Sequence, residues 1–436
     1  MPLVRAYDGP RLGHAVTVVP VDPQRCGALV RVRGWEIAVA DPVQTVTTLE
    51  DLTQAATDVG WDAERTTQGP PFDGGLLGFI TDDVSFTLLE LPQADVRPSP
   101  APLPPLWFGR YTYAACQAPD GSWWLTGTTP RDLRRAEDLL RQAAALAGED
   151  EGTEFVVQTQ RPAWTTIDRL SHAKAVGQIH DWIAAGEVYQ VNLTLHVAAP
   201  WEGSPRQLAF NLFGASQGAA HAAFLHAPGA TITSVSPETF LRIDGRRAQV
   251  RPIKGTRRRS GDAVADQLLA ADLMAASKDG AEHVMIVDLE RNDLGRICRT
   301  ASVTVPQLMG LERHPTVWHL TSTVQGDILP DVDFGQVVQA LFPCGSITGA
   351  PKRMAVSLTR VVEPWRRGVY CGAIGVITTG LVDLSVAIRT AVMHGGQAWY
   401  GTGGGIVADS DPEAEWDEAM AKAEAFFQAT RTRPPA

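Results

Sequence analysis

The sequence holds 436 residues, with 49 acidic against 38 basic side chains, a formal net charge of −11, and 44% hydrophobic and 20% charged residues. That is the balance of a globular chain, and at roughly 150 residues per domain it has room for two or three units. It lacks the excess of Lys and Arg that coating a nucleic acid or an anionic membrane requires, and no run of about 18 apolar residues offers a membrane-spanning helix.

Met1 to Arg11 has no apolar h-region, so no signal peptide is expected. Short β-type runs follow at Ala28–Ala40 and Trp123–Thr128, cut by Pro and Gly clusters. Pro98–Pro105 is mostly proline and predicts an extended loop, because proline fixes φ and supplies no N–H. Over Pro130–Leu146 the apolar Leu133, Ala136, Leu139, Leu140 and Ala143 recur at three- and four-residue spacing, which predicts a helix. Gly148–Glu154, acidic and punctuated by glycine, is the best linker. It separates a β-rich N-terminal subdomain, 1–160, from a second domain, 165–430. There a helix is predicted over Ser171–Gly186, with Val176, Ile179 and Ile183 on one stripe and Gly186 as its stop. Strands are predicted at Ala230–Val235, Thr239–Ile243 and Ala248–Pro252, then one helix from Val264 to Leu289. Strands at Gly372–Thr378, Asp383–Thr390 and Ala398–Gly401 precede a final helix, and the class is a mixed α/β or α+β architecture. Cys26, Cys116, Cys298, Cys344 and Cys371 are odd in number and lack CxxC spacing, which points to a reducing cytoplasm without a disulfide framework or zinc knuckle.

Four groups of residues are candidates for chemistry. In Arg251-Pro252-Ile253-Lys254-Gly255-Thr256-Arg257, one lysine stands between a strand-ending Pro-Ile and a Gly-Thr turn. Delivered there by a strand it is a candidate nucleophile; the alternative is a basic surface turn. Asp279 and Glu282 lie three apart on the predicted Val264 helix, and Glu415 and Glu418 three apart on the final one, with Lys422 four further on. Should the two acidic faces meet, like charges about 4 Å apart cost about 4 kcal/mol at an effective dielectric of roughly 20. Such a cluster calls for a cation, and all-oxygen ligands favour Mg²⁺; the alternative is two solvated acidic faces. Gly401, Gly403, Gly404 and Gly405 bare backbone N–H groups that suit a carboxylate or phosphate, as do Gly345 to Lys352, yet neither has nucleotide-signature spacing, and a tight turn without ligand is the other reading. His283, His314 and His319 lack the spacing of a zinc site, and Glu238 alone reads as a surface carboxylate.

Ordered along the chain, several strings carry a resemblance. They are Tyr189-Gln190-Val191-Asn192-Leu193, Ser236-Pro237-Glu238, Pro252-Ile253-Lys254-Gly255-Thr256 and the Glu282 to Gly295 block. Further on come Phe342-Pro343-Cys344-Gly345-Ser346, Gly349-Ala350-Pro351-Lys352, Tyr370 to Gly375, Ala387 to Thr390 and Gly401 to Lys422. From about Thr165 to Phe427 the chain resembles the chorismate-utilising enzymes, which include anthranilate synthase component I, aminodeoxychorismate synthase component I, isochorismate synthase and salicylate synthase. Gly74 to Phe79 and Glu90 to Pro92 extend the likeness weakly into the first domain, where Thr81-Asp82 replaces the family's Tyr-Asp pair.

The resemblance implies a fold and a set of roles. The fold is an α+β complex sandwich of two orthogonal, antiparallel-rich sheets flanked by helices. Gln190 stands where the isochorismate and salicylate enzymes carry a water-activating Lys, and an amide cannot act as that base. Lys254 stands where most members have Ala, and the Lys version is similar to the aminodeoxychorismate synthases. Lys254 is then the nucleophile and Glu238 the general acid, with His319 and Ser346 beside the ring. Glu282 and Glu418 match the Mg²⁺ ligands, with Asp279 and Glu415 as water-bridged partners. Tyr370, Arg389, Gly403 and Gly405 are implied to grip the enolpyruvyl carboxylate, and Lys422 adds positive charge at the metal-side carboxylate.

No cysteine sits in a Gly-rich nucleophile elbow, so ammonia is expected from a separate glutamine amidotransferase subunit. The expected reaction joins chorismate and ammonia into 4-amino-4-deoxychorismate through a Lys254 adduct, toward 4-aminobenzoate and folate or a specialised metabolite. The alternative is anthranilate synthase component I, which makes anthranilate and pyruvate toward tryptophan. A catalytically silent chorismate-binding subunit is the third reading, and intact Lys254, Glu238 and carboxylate doublets stand against it.

Overall fold

Leu76, Leu77, Phe79 and Ile80 are all fully buried on one strand, Gly75–Ile80, which requires that both faces of its sheet be covered. The computed structural model describes residues 2–7, 9, 19, 25–65, 69–91, 95–146, 163–216, 219–315 and 317–435. The linker expected at Gly148–Glu154 lies outside them, as do parts of Met1 to Arg11.

Two antiparallel sheets make up the core. The larger, of twelve strands, runs Leu3–Ala6, Trp123–Gly127, Tyr113–Gln117, Trp35–Val39, Ala28–Val32, Ala223–Ala227, Ala230–Ser234, Thr390–His394, Gln397–Ile406, Gln190–Pro200 and Gly349–Ala350, with Trp164–Thr165 as a side branch. The smaller, of ten, runs Ile253–Arg258, Val317–Asp327, Arg247–Arg251, Thr239–Asp244, Leu381–Val386, Ala373–Thr378, Gly75–Ile80, Leu106–Tyr111 and Gln44–Val46, with Thr304–Arg313 beside Val317–Asp327. Strands from before residue 128 therefore enter both sheets.

Alternating side chains fill successive layers, as the period of two in a strand dictates. Leu77, Phe79, Ile374 and Val376 meet Val30, Val32, Ile37 and Val39 between the sheets. Leu76, Ile80, Ile377 and Val382 face outward, under Leu52, Ala56, Phe334 and Leu294 of three helices. On the far side of the larger sheet, Leu29 and Ala38 pack under Ala136, Leu139 and Leu140 of the Pro130–Leu146 helix. The result is the expected α+β sandwich, helices outside two sheets. Among the described residues no helix is long and apolar enough to cross a membrane.

Three predicted elements are corrected. The Val264–Leu289 helix is two, Ala263–Ala275 and Ser277–Gly295, broken at Ala276, whose φ −68°, ψ 100° is extended. Asp383–Thr390 is not one strand: Leu381–Val386 ends in the smaller sheet and Thr390–His394 begins in the larger. Arg389, at φ 53°, bends the chain between them. The final helix is also two, Pro412–Lys422 and Glu424–Thr430. The first starts as its sequence dictates, with the Asp411 side chain accepting from Ala414 N.

A second crossing lies beside the one at Arg389. The chain leaves the larger sheet at Ser234 and enters the smaller at Thr239, so Glu238 sits on the passage. The crossings are tied together: Val235 N donates to Arg389 O at 3.1 Å and Val386 N to Glu238 O at 3.0 Å. The seam between the sheets thus delivers an acid and a guanidinium to one region.

Candidate active site

Glu238 is 4% exposed on this seam, not a surface carboxylate, and the Ser346 hydroxyl donates to its Oε1 at 2.6 Å. Burial pushes its carboxyl up to about 7, against the opposing pull of the Ser346 hydrogen bond and the Lys254 charge. Lys254 reaches the same turn from the Ile253–Arg258 strand and donates from Nζ to Ser346 O at 3.3 Å. A primary amine, a protonatable acid and a hydroxyl between them therefore converge from three separate elements. Two of the neighbouring arginines are paired with carboxylates, Arg257 with Asp272 and Asp279, and Arg259 with Asp266.

His319 lies across the ladder from Thr256, whose Oγ1 is 2.9 Å from its Nδ1. Burial, with His314 and Arg389 nearby, drops its imidazole to about 4, so the ring is neutral at physiological pH. The Tyr370 ring covers Gly401, where a Cβ would come within 2.0 Å of it. Burial lifts the Tyr370 phenol well above its usual value. The glycine run is neither a loop nor a tight turn. It continues the Gln397–Ile406 strand, with Gly403 opposite Thr194 and Gly405 opposite Asn192. Over Gly405 lies the Gln190 amide, 2.3 Å from where a Cβ would stand.

The carboxylate doublets fall on two helices, as their spacing implies. Asp279, on Ser277–Gly295, is held by Arg257 at 3.3 Å and lies next to Gly255. Glu282, on the same helix, is half-buried. On Pro412–Lys422, the Ser410 hydroxyl donates to Glu415 Oε1 at 2.6 Å, and Lys422 Nζ lies 2.7 Å from Glu418 Oε1 and 2.9 Å from Gly403 O. Four hard oxygen ligands suit Mg²⁺ by chemistry. Among the described residues, however, no group of three or more His, Cys, Asp or Glu is arranged to hold a metal.

Several buried polar groups escaped the sequence reading. Glu290 is 1% exposed and its Oε1 accepts from Gly345 N at 3.1 Å. His283 is fully buried, its imidazole lowered by burial, and it borders the Lys254 backbone. The signal was present: His283, Ile286, Glu290 and Leu294 recur every three or four residues on the face that packs inward. Arg367, 3% exposed, donates to Asn192 O at 2.7 Å, Ile347 O at 3.2 Å and Glu363 Oε1 at 2.8 Å. It fastens the Gln190–Pro200 strand to the turn that carries Ser346.

A doubly covered sandwich with an amine and an acid at its seam defines a class, and comparison with known proteins gives that class its name. A family model for chorismate binding enzymes matches residues 31–428, and the chain belongs to that family. The chain is 34% identical to aminodeoxychorismate synthase component 1 of Salmonella typhimurium, over 89% of this chain and 88% of that one. It is also 34% identical to an anthranilate synthase component I-like protein of Synechocystis, over 82% of this chain and 73% of that one. Among solved structures, anthranilate synthase component I from Streptococcus pneumoniae superposes with a TM-score of 0.73 at 27% identity, covering 99% of this chain and 92% of that one.

Proposed function

We propose that the protein is component I of an aminodeoxychorismate synthase, converting chorismate and ammonia to 4-amino-4-deoxychorismate. The observation that carries this reading is the Lys254 amine beside Ser346 and buried Glu238. The Lys254 nitrogen attacks carbon 2 of chorismate, the ring double bond shifts, and the carbon 4 hydroxyl leaves as water with the proton of Glu238. Ammonia then enters at carbon 4, the double bond shifts back, and Lys254 leaves as the free amine while Glu238 regains a proton from the new ammonium. One hard displacement becomes two easier ones. Arg389 and Tyr370 hold the enolpyruvyl carboxylate, with Gly403 and Gly405 lining the strand beside it, and Lys422 adds positive charge. His319, neutral, donates or accepts a hydrogen bond near the ring but carries no charge. Glu282 and Glu418, with Asp279 and Glu415 behind them, would hold a Mg²⁺ ion, which would supply positive charge for the ring carboxylate.

The ammonia donor is a separate glutamine amidotransferase subunit, and the protein works in the cytoplasm. Relatives named aminodeoxychorismate synthase component 1 support the reading, and relatives named for anthranilate synthase match at similar identity, which keeps that activity as the second reading. Incubation with chorismate, Mg²⁺ and ammonium separates them. Aminodeoxychorismate is the expected product; fluorescent anthranilate with pyruvate rejects the first reading.

A further inference from the structure

Glu290 lies on the buried face of the Ser277–Gly295 helix and has no part in the reaction described above. Its Oε1 accepts from Gly345 N at 3.1 Å and from Cys344 Sγ at 3.7 Å, while Oε2 is buried without a partner among the described residues. Cys344 Sγ stands 3.2 Å from Ser346 Oγ, and Ser346 Oγ donates to Glu238 Oε1 at 2.6 Å. Polar side chains therefore run unbroken from Glu290 through Cys344 and Ser346 to Glu238. The charged groups facing the chain are Lys352 and Asp293, paired at 2.6 Å beside Glu290, and Lys254 beside Glu238. Burial holds both carboxyls at about 7, and the Glu238 charge adds to the rise at Glu290. Two buried carboxyls this closely linked titrate as a pair, and the second ionisation is opposed by the first.

We propose that Glu290 is a positioning residue for Glu238: the two carboxyls keep one proton between them along the Cys344–Ser346 bridge, so that Glu238 remains a protonated acid at neutral pH. With the proton on Glu238, that carboxyl donates to Ser346 Oγ, Ser346 to Cys344 Sγ, and Cys344 to the Glu290 carboxylate facing Lys352; moving one proton along each of these three bonds reverses every donor and puts the proton on Glu290, with Ser346 then donating to Glu238 and no net change. The inference rests on Glu238 as the acid of the proposed reaction.

Glu290→Gln keeps the shape and the acceptor for Gly345 N but removes the second charge. In difference infrared titration of the protein without substrate, the protonated-carboxyl band assigned to Glu238 by its absence in Glu238→Gln, and so distinguished from that of buried Asp82, is expected to titrate about one unit lower than in wild type. At fixed free ammonia, the basic limb of chorismate turnover shifts down by the same amount, and the chorismate KM changes less than about twofold. Cys344→Ser, which keeps a hydroxyl in the bridge, stays near wild type. An unmoved carboxyl titration in Glu290→Gln overturns the proposal. If chorismate is not consumed at all, or is turned into anthranilate, the functional reading fails while the infrared titration still decides this one.

Discussion

The Ser346 hydroxyl donates to Glu238 Oε1 at 2.6 Å, and the same residue's carbonyl accepts from Lys254 Nζ at 3.3 Å. One residue of a short 3-10 turn, Gly345–Ile347, thereby sets the spacing between acid and amine. The hydrogen bond to Glu238 favours the carboxylate and works against burial, which favours the neutral acid.

Ser346→Ala removes the hydrogen bond that favours the carboxylate. Glu238 is then expected to keep its proton to higher pH, and the basic limb of the rate profile moves upward, opposite to Glu290→Gln. The loss in kcat near neutrality is about tenfold, in line with one lost neutral hydrogen bond to a reacting group. A limb that moves downward contradicts the assigned bond.

Lys254→Ala tests the covalent step. Formation of aminodeoxychorismate is expected to fall by at least about 10²-fold, with some turnover diverted to anthranilate as ammonia gains access to carbon 2. Intact-mass spectrometry of trapped turnover mixtures is expected to find an adduct on the wild type and none on the variant. Unchanged product formation by Lys254→Ala would remove the nucleophile from the mechanism.

Glu238→Gln trades activity for stability. A carboxyl whose folded pKa is about 7 against an ordinary 4.5 binds its proton more tightly in the native state than in the unfolded one. Native stability is therefore full below about pH 4.5, declines as pH rises through the interval to about 7, and is lower above it. The variant escapes that decline. It is expected to be more stable than wild type at pH 8 by about 2–3 kcal/mol and about equal at pH 4.5, with turnover down by about 10²–10⁴. Urea unfolding at the two pH values checks it, and an equal difference at both values rejects the burial argument.

The helix over Pro130–Leu146 was legible to the residue, because its apolar positions recur at helical spacing and pack under one sheet. The crossings at Glu238 and Arg389 were not. A strand that leaves one sheet for another keeps its apolar run, so Asp383–Thr390 reads as continuous although the chain changes partners at Ala387–Arg389. Glu238 was misplaced on the surface for the same reason, since its burial comes from strands distant in sequence. Lys254 and the two doublets gained meaning only through the order of the surrounding strings. Glu290 was overlooked because one carboxylate in an inward stripe reads as an irregularity until Cys344 and Gly345 are seen beside it.

His319 is expected to be electrically silent across the working range. With its imidazole at about 4, the ring proton resonances of His319 stay constant between about pH 5.5 and 8. A titration midpoint near about 6.5 in the NMR spectrum places the ring in a wetter site than the one found.

Arg367→Ala addresses what holds the Ser346 turn against the Gln190–Pro200 strand. Arg367 and Glu363 are 3% and 2% exposed, joined through Oε1 at 2.8 Å and Oε2 at 3.1 Å, so removing the guanidinium leaves the buried carboxylate to Thr194, whose N and Oγ1 donate to Oε1 at 2.9 Å, and to Arg97 at 4.0 Å. The expected cost is about 3 kcal/mol in urea unfolding, because breaking one member of a buried pair leaves the other charge buried with weaker partners. Arg367→Met combined with Glu363→Leu removes both charges and is expected to recover much of that loss, while the bonds to Asn192 O and Ile347 O stay missing. A single variant within about 0.5 kcal/mol of wild type, or a double variant worse than the single, contradicts the assignment of the pair as the fastening of this turn.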